Sequence, residues 1–123
     1  MFKRISTVLI WSENHRALAD WYRDKLGLKA SKELNHPDDT GVIFQIGDTQ
    51  LWIGQHSEVK GKNQDSARHM FNLDVDSVQE AYNYLKSKGV EFIAPPFKAP
   101  TMDYHFASFL DLDNNIVQLI GFK

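Results

Sequence analysis

The side chains that could carry out acid, base, nucleophilic or metal chemistry are few in this sequence, and they are scattered. Its 123 residues include five histidines and no cysteine, which excludes disulfides, thiolate nucleophiles and zinc sites of the cysteine type. No two histidines stand in a His-x-x-x-His spacing, and the seven glycines form no phosphate-binding loop. The pattern of reactive residues therefore indicates no familiar catalytic motif.

The five histidines have structural explanations. His15 falls in the first turn of a predicted helix, His36 stands beside a proline, and His56 opens a polar segment, all places where we expect a solvated imidazole. His69 and His105 lie in predicted strands, and alternation places each on the same face as apolar neighbours. We therefore predict that none of them is a metal ligand.

Three aspartates are candidates for a specific role. Asp111 and Asp113 lie in a predicted turn, where aspartate side chains accept hydrogen bonds from nearby backbone amides, and we expect that structural role. Asp74 falls on the polar side of a predicted strand, where enclosure in a cavity would make it a candidate general base. The alternative for Asp74 is a solvated position close to the helix start at Ser77.

Two amphipathic helices of the same design would position these side chains. From Asn14 to Gly27 the asparagine can act as N-cap, and the glycine can adopt the left-handed conformation that ends a helix. From Ser77 to Gly89 the serine and Glu80 form a capping-box pattern. The apolar stripes predicted to face a sheet are Leu18, Trp21, Tyr22 and Leu26 in the first helix and Val78, Ala81, Tyr82 and Leu85 in the second.

The chain repeats one pattern, because each helix follows an apolar extended run and precedes further strand-like segments at an offset of roughly 60 residues. We interpret it as two βαβββ modules, residues 1–57 and 69–123, joined by a polar linker of residues 58–68. The predicted fold class is α+β in a single domain. Duplication of this kind is expected to leave a central cleft between the halves, where a site would lie.

Alternation along the strands predicts which side chains face that cleft. Phe71, Leu73 and Val75 are uniformly apolar and should pack beneath the second helix, which leaves the side chains of opposite parity for the cleft. The same reasoning applies to the other strands. The candidate ligand-binding residues are Thr7, Trp11, Trp52, Met70, Asn72, Phe106, Ser108 and Gln118.

The segment from Ala94 to Tyr104 is predicted to be irregular, because it contains Pro95, Pro96 and Pro100. Proline lacks the N–H that a central strand needs on both sides. The segment is either a simple connection between strands or a lid over the mouth of a cleft, and both interpretations stay open at this point.

Composition excludes several classes of partner. With 42% hydrophobic and 24% charged residues the chain is typical of an ordinary globular domain. A formal net charge of −2 offers no basic surface for nucleic acid, and no apolar run is long enough to span a bilayer. We expect neither nucleic acid nor membrane as a partner, and a cytoplasmic location.

Three segments resemble a known family. Ile5–Asn14 and Trp21–Leu28 resemble the opening strand and first helix end of the vicinal oxygen chelate superfamily, which includes glyoxalase I, bleomycin-resistance proteins, fosfomycin-resistance enzymes and extradiol dioxygenases. Phe109–Leu119 resembles its closing hairpin, with Leu112 in place of the usual proline and Asn114 in place of the usual glycine. Asparagine tolerates the left-handed turn conformation. The resemblance covers nearly the whole chain and implies two βαβββ units that curve into a partial barrel around the site.

Metal-dependent members of that superfamily place ligands on the first, fourth, fifth and eighth strands. The resemblance puts Thr7, Trp52, Met70 and Gln118 at these four positions. Glutamine serves as a ligand in some glyoxalases, but a thioether is soft and an indole offers no lone pair for coordination. We therefore expect no metal and no other cofactor.

Two functional hypotheses follow, and they differ in whether the chain is an enzyme. In the first, a metal-free pocket of aromatic and amide side chains binds a small organic molecule, as in the bleomycin-resistance branch that the sequence resembles. In the second, the chain is a glyoxalase-like or dioxygenase-like metalloenzyme whose ligands are shifted by one residue, with His69 in place of Met70. A third interpretation is a chain whose main role is assembly with a second copy. The resemblance implies a homodimer, since members commonly pair, and a pocket can be completed across such an interface.

Overall fold

The computed structural model describes all 123 residues, and its helices and strands follow the predicted order. The first module contains β1 (Thr7–Trp11), α1 (His15–Leu26), β2 (Ala30–His36), β3 (Asp39–Ile46) and β4 (Thr49–Gly54). The second contains β5 (Phe71–Ser77), α2 (Val78–Ser87), β6 (Phe92–Lys98), β7 (His105–Leu110) and β8 (Ile116–Phe122). The predicted α+β class with two βαβββ modules is confirmed.

Each module forms its own mixed four-stranded sheet. The strand order is β1-β4-β3-β2 in the first sheet and β5-β8-β7-β6 in the second. The first strand of each module pairs in parallel with the last, and the remaining pairs are antiparallel. The chain divides into two compact units, residues 1–62 and 63–123, each with one sheet and one helix.

The helix ends are determined by the capping residues that the sequence indicates. The side chain of Asn14 accepts a hydrogen bond from the backbone N–H of Ala17 at 3.4 Å, and Gly27 ends the helix at a φ of 69°. At the second helix, the Ser77 hydroxyl accepts from the N–H of Glu80 at 3.1 Å. These side chains satisfy backbone donors that have no partner inside a first helical turn.

Half of the residues in the predicted apolar stripes are buried, and Trp21, Leu26, Ala81 and Tyr82 are only half-buried. Leu18 and Tyr22 of α1 have no exposed surface, and Val78 and Leu85 of α2 are buried. Trp21, predicted to belong to the same buried stripe as Tyr22, is only half-buried. Its ring packs edge-on against that of Tyr22, with 5.1 Å between the ring centroids.

Burial alternates in β4 and β5 as predicted, whereas in β7 the three consecutive residues Ala107, Ser108 and Phe109 are all buried. Leu51 and Ile53 of β4 are buried on the face that packs against α1, while Trp52 between them is half-buried. In β5, the residues Phe71, Leu73 and Val75 are less exposed than the polar residues between them. The strand begins at Phe71, so Met70 and His69 precede it in an exposed loop rather than continuing its alternation.

The segment predicted to be irregular from Ala94 is a strand as far as Lys98, so that prediction is wrong for residues 94–98. β6 pairs only with β7 and forms the edge of the second sheet, where an N–H missing from the outer side breaks no ladder, and Pro95 and Pro96 lie where the pairing with β7 is irregular. The pairing register shifts on either side of Ala94. Residues 99–104 are the connection to β7, and a lid role for them stays a prediction.

Neither helix has the length and apolar character that crossing a bilayer would require.

Candidate functional site

In the first module, Thr7 and Trp52 lie on the sheet face opposite α1. Thr7 pairs with Gln50 across β1 and β4, and Trp52 pairs with Leu9 two positions further along. The indole Nε1 of Trp52 donates a hydrogen bond to the Gln50 side-chain oxygen at 2.9 Å. The indole is therefore held in one orientation, and its half-exposed ring is left for apolar contact.

Trp11 lies at the carboxyl end of β1, on the same face of the sheet. It pairs in register with Gly54, and a Cβ atom at Gly54 would lie 2.8 Å from the Trp11 ring. The ring also meets the imidazole of His56 edge-on, with 5.5 Å between centroids. Glycine at position 54 thus lets the indole lie across the strand end, where 41% of the residue stays exposed.

A cavity of about 450 Å³ opens beside Trp11, inside the first module. Its walls are the end of β1, the β2–β3 turn at residues 37–40 and the segment of residues 55–60. Of the predicted site residues only Trp11 lines it. The sequence analysis missed this cavity because Pro37 and Asp38 are typical of a turn, and a turn motif does not indicate which other segment it approaches.

In the second module, Asn72, Gln118 and Ser108 form a row across three adjacent strands. Asn72 of β5 pairs with Gln118 of β8, which pairs with Ser108 of β7. The side-chain Nε2 of Gln118 donates to the Ser108 hydroxyl at 3.3 Å. Ser108 is 6% exposed, Gln118 is half-buried and Asn72 is exposed, so the row runs from the sheet interior to its edge.

Phe106 continues the same face of β7 two residues before Ser108. Its ring packs on that of Phe97 from β6, with 5.8 Å between centroids and 31° between the planes. Met70 is 43% exposed in the loop that leads into β5. Met70 is therefore the one candidate of this module that no strand positions.

The two modules differ in chemistry at matching positions of their sheets. In each module, one row joins the first, fourth and third strands on the face opposite the helix. In the first module the row consists of the apolar residues Leu9, Trp52 and Ile43. In the second module it consists of the polar residues Asn72, Gln118 and Ser108.

The four positions that the resemblance assigns to metal ligands do not fit a divalent ion. The Thr7 hydroxyl lies 3.2 Å from that of Ser6, the Trp52 nitrogen is a donor already used, and Met70 offers a thioether. The Thr7 hydroxyl and the carbonyl oxygen of Gln118 are two neutral oxygens, and the set contains no carboxylate or imidazole. No three histidine, aspartate or glutamate side chains lie close enough together to hold a metal ion.

Two histidines are not simply exposed to solvent. His15 was expected to be solvated, and that expectation is wrong, since it is only 7% exposed at the start of α1. Burial lowers its pKa from the usual 6.5, and the neighbouring Arg16 lowers the pKa further. His105 has the predicted parity with Ala107 and Phe109, and its Nδ1 is buried with no hydrogen-bond partner.

The buried aspartate of the last turn has the structural role that the sequence predicts. Asp111 is 4% exposed, and its carboxylate accepts from the backbone amides of Asp113 and Asn115 at 2.9 and 3.0 Å. The turn places Asn114 at a φ of 65°, where an asparagine is well tolerated. Asp74 is exposed on β5, which favours its alternative interpretation as a solvated residue.

Solved structures with the same fold span nearly the whole chain. A glyoxalase family protein from Enterococcus faecalis is 22% identical, with 97% of this chain and 98% of that chain covered and a TM-score of 0.79. A member of the glyoxalase/bleomycin resistance protein/dioxygenase superfamily from Sphaerobacter thermophilus DSM 20745 is 20% identical, with 98% of each chain covered and a TM-score of 0.80. A domain of the same description from Frankia sp. EAN1pec is 16% identical, with 100% of each chain covered and a TM-score of 0.78.

At these identities the structural likeness shows a shared fold. A comparison with curated proteins gives no match. The family model for the glyoxalase/bleomycin resistance protein/dioxygenase superfamily matches residues 4–119. With its two βαβββ modules and this match over nearly its full length, the chain belongs to that superfamily.

Proposed function

We propose that this chain is a metal-free small-molecule-binding protein resembling the bleomycin-resistance branch of its superfamily. Its ligand is a planar, partly aromatic organic molecule that contacts the sheet faces opposite the helices. The residues proposed to contact it are Thr7, Trp11, Trp52, Met70, Asn72, Phe106, Ser108 and Gln118. The earlier expectation that these side chains line one cleft stays a prediction.

The observation that carries the proposal is the contrast between the two rows. The half-exposed indole of Trp52 offers a flat apolar surface, and its own N–H is already satisfied by Gln50. The amide of Gln118 is oriented by Ser108, which leaves its carbonyl oxygen to accept from a ligand. An apolar surface with a few oriented polar groups is typical of small-molecule sites.

The metalloenzyme alternative is less well supported by the same residues. It requires His69 to take the place of Met70, but no three histidine, aspartate or glutamate side chains lie close enough together to hold a metal ion. The side chains at the four positions that the resemblance assigns to metal ligands are poor ligands, which favours small-molecule binding without a metal. Homodimer formation stays a prediction that sedimentation equilibrium of the purified chain measures directly.

The test begins with a thermal-shift screen of planar aromatic amides and carbonyl compounds. Binding of a hit should quench tryptophan fluorescence, and Trp52→Phe should remove most of that quenching while Trp21→Phe on α1 preserves it. Gln118→Ala should weaken binding by roughly 1 to 3 kcal/mol, because a polar atom of the ligand loses its partner.

The matched control is Gln64→Ala, since Gln64 is an exposed residue of the segment between β4 and β5. It should bind the hit as the parent does. If Gln118→Ala also binds as the parent does, Gln118 does not contact the ligand and the proposed site is wrong.

A further inference from the structure

We infer that the cavity beside Trp11 is a separate binding site for a small organic cation. Its volume of about 450 Å³ lies within the range of small-molecule pockets, roughly 300 to 1,000 Å³. It is formed by the first module alone, and Trp11 is the only residue that it shares with the function proposed above. The inference therefore does not depend on that proposal.

The first argument is the aromatic wall. Trp11 is 41% exposed, yet its ring is held against Gly54 on one side and packs edge-on against His56. A rigid, exposed indole loses little conformational entropy when a ligand settles on it. The negative face of an indole attracts cations more strongly than other aromatic rings do.

The second argument is the charge of the lining. The cavity is lined by three carboxylates, from Glu13, Asp38 and Asp39, and by a single lysine, Lys60. Lys60 lies 3.8 Å from the carboxylate of Glu13, so its charge is already offset by that partner. Glu13 also accepts from the backbone N–H of Gly61 at 3.1 Å.

Asp38 and Asp39 consequently leave the cavity with an excess of negative charge. Their turn is held in place by the imidazole of His36, whose Nδ1 accepts from the backbone N–H of Asp38 at 3.1 Å. Neither carboxylate forms a salt bridge. Since the two acids and Trp11 line the same cavity, a ligand with an ammonium group and an apolar surface matches both.

The test compares two probes of nearly the same shape, choline and 3,3-dimethyl-1-butanol. Choline has a positively charged nitrogen at the position where the neutral alcohol has a carbon. Binding is followed by NMR shifts of the tryptophan indole signals, with Trp11 assigned by Trp11→Phe. We expect choline to shift the Trp11 signal with a Kd on the order of 1 mM and to bind about fivefold or more tightly than the neutral probe.

The variants separate charge from packing. The double variant Asp38→Asn with Asp39→Asn should weaken choline binding about fivefold or more and leave the melting temperature unchanged. Asp48→Asn is the matched control, because Asp48 is an exposed aspartate at the β3–β4 turn, at the opposite end of β3. It should bind choline as the parent does.

Three outcomes would overturn the inference. They are equal binding of the two probes, no shift of the Trp11 signal at any choline concentration tested, and equal weakening by the control variant. None of them bears on the Gln118 comparison, which uses a different ligand and a residue of the other module, so the two proposals fail independently.

Discussion

Gln118 and Ser108 face each other across β8 and β7, and the amide of Gln118 donates to the Ser108 hydroxyl at 3.3 Å. The corresponding register pair of the first module is Trp52 and Ile43, which form no such bond. Duplicated strands therefore carry different chemistry at the same positions. The family match over residues 4–119 does not reveal this difference, which arises from the side chains of this particular chain.

The metal-free proposal predicts that divalent ions leave the protein unchanged. Protein exposed to zinc, nickel, cobalt or ferrous iron should retain no stoichiometric ion after dialysis, and its melting temperature should not move, because Trp52 and Met70 offer no suitable donor. Metal content is measured by elemental analysis. One equivalent of tightly held ion that His69→Ala removes would support the metalloenzyme alternative instead.

Asp111 is predicted to be a stability residue. Asp111→Ala removes the acceptor of two backbone amides at a position only 4% exposed, and should lower the free energy of unfolding by about 2 to 4 kcal/mol. Urea denaturation measures the change. Asp103→Ala, at an exposed position of the loop before β7, should cost less than about 0.5 kcal/mol. Equal losses in the two variants would contradict the structural role of the turn.

The face of α1 can be checked by comparing two adjacent aromatic residues. Tyr22 is fully buried, so Tyr22→Ala should cost about 3 to 5 kcal/mol in unfolding free energy. Trp21 is half-buried, so Trp21→Ala should cost less, about 1 to 3 kcal/mol. Chemical denaturation of both variants gives the order. A larger loss for Trp21 would mean that the helix is rotated about its axis relative to the structure described.

His15 predicts a pH dependence of stability in the weakly acidic range. Its pKa is lowered in the folded protein, mainly by burial, so below about pH 6.5 the unfolded chain takes up a proton that the folded chain resists. The free energy of unfolding should therefore fall as the pH drops from about 6.5 toward the lower folded pKa. Denaturation curves across this range measure the slope.

His15→Gln should make that slope shallower, because the titrating group is gone. Gln64→Ala is the control, since Gln64 does not titrate and is exposed in the segment between β4 and β5, and it should leave the slope as it is in the parent. An unchanged slope in His15→Gln would show that other groups produce the acid sensitivity.

Local features could be predicted from the sequence because their causes are local. The caps at Asn14 and Ser77 depend on side chains that bond to amides three residues away, and strand parity depends only on alternation. The burial of His15 could not be predicted, since it depends on what packs over the helix start. The sequence analysis missed that β6 is an edge strand, because prolines exclude certain strand pairings but do not indicate which pairing forms.

The candidate site was predictable to a similar extent. Alternation identified the face on which Trp52 and Gln118 lie. The hydrogen bond from Trp52 to Gln50 lies within β4, whereas the bond from Gln118 to Ser108 depends on the register of β8 and β7. The cavity beside Trp11 required knowledge of where the β2–β3 turn stands relative to residues 55–60. No periodic pattern encodes that distance.

The two prolines of β6 also affect how this protein behaves at high concentration. An exposed sheet edge offers a row of unpaired backbone groups onto which a strand from another molecule can add. Successive N–H groups of a strand point to opposite sides, so one of Pro95 and Pro96 removes a donor from that row, and the register shifts around Ala94 make it a less regular template. The outer edge of the second sheet is thereby protected against strand-by-strand aggregation.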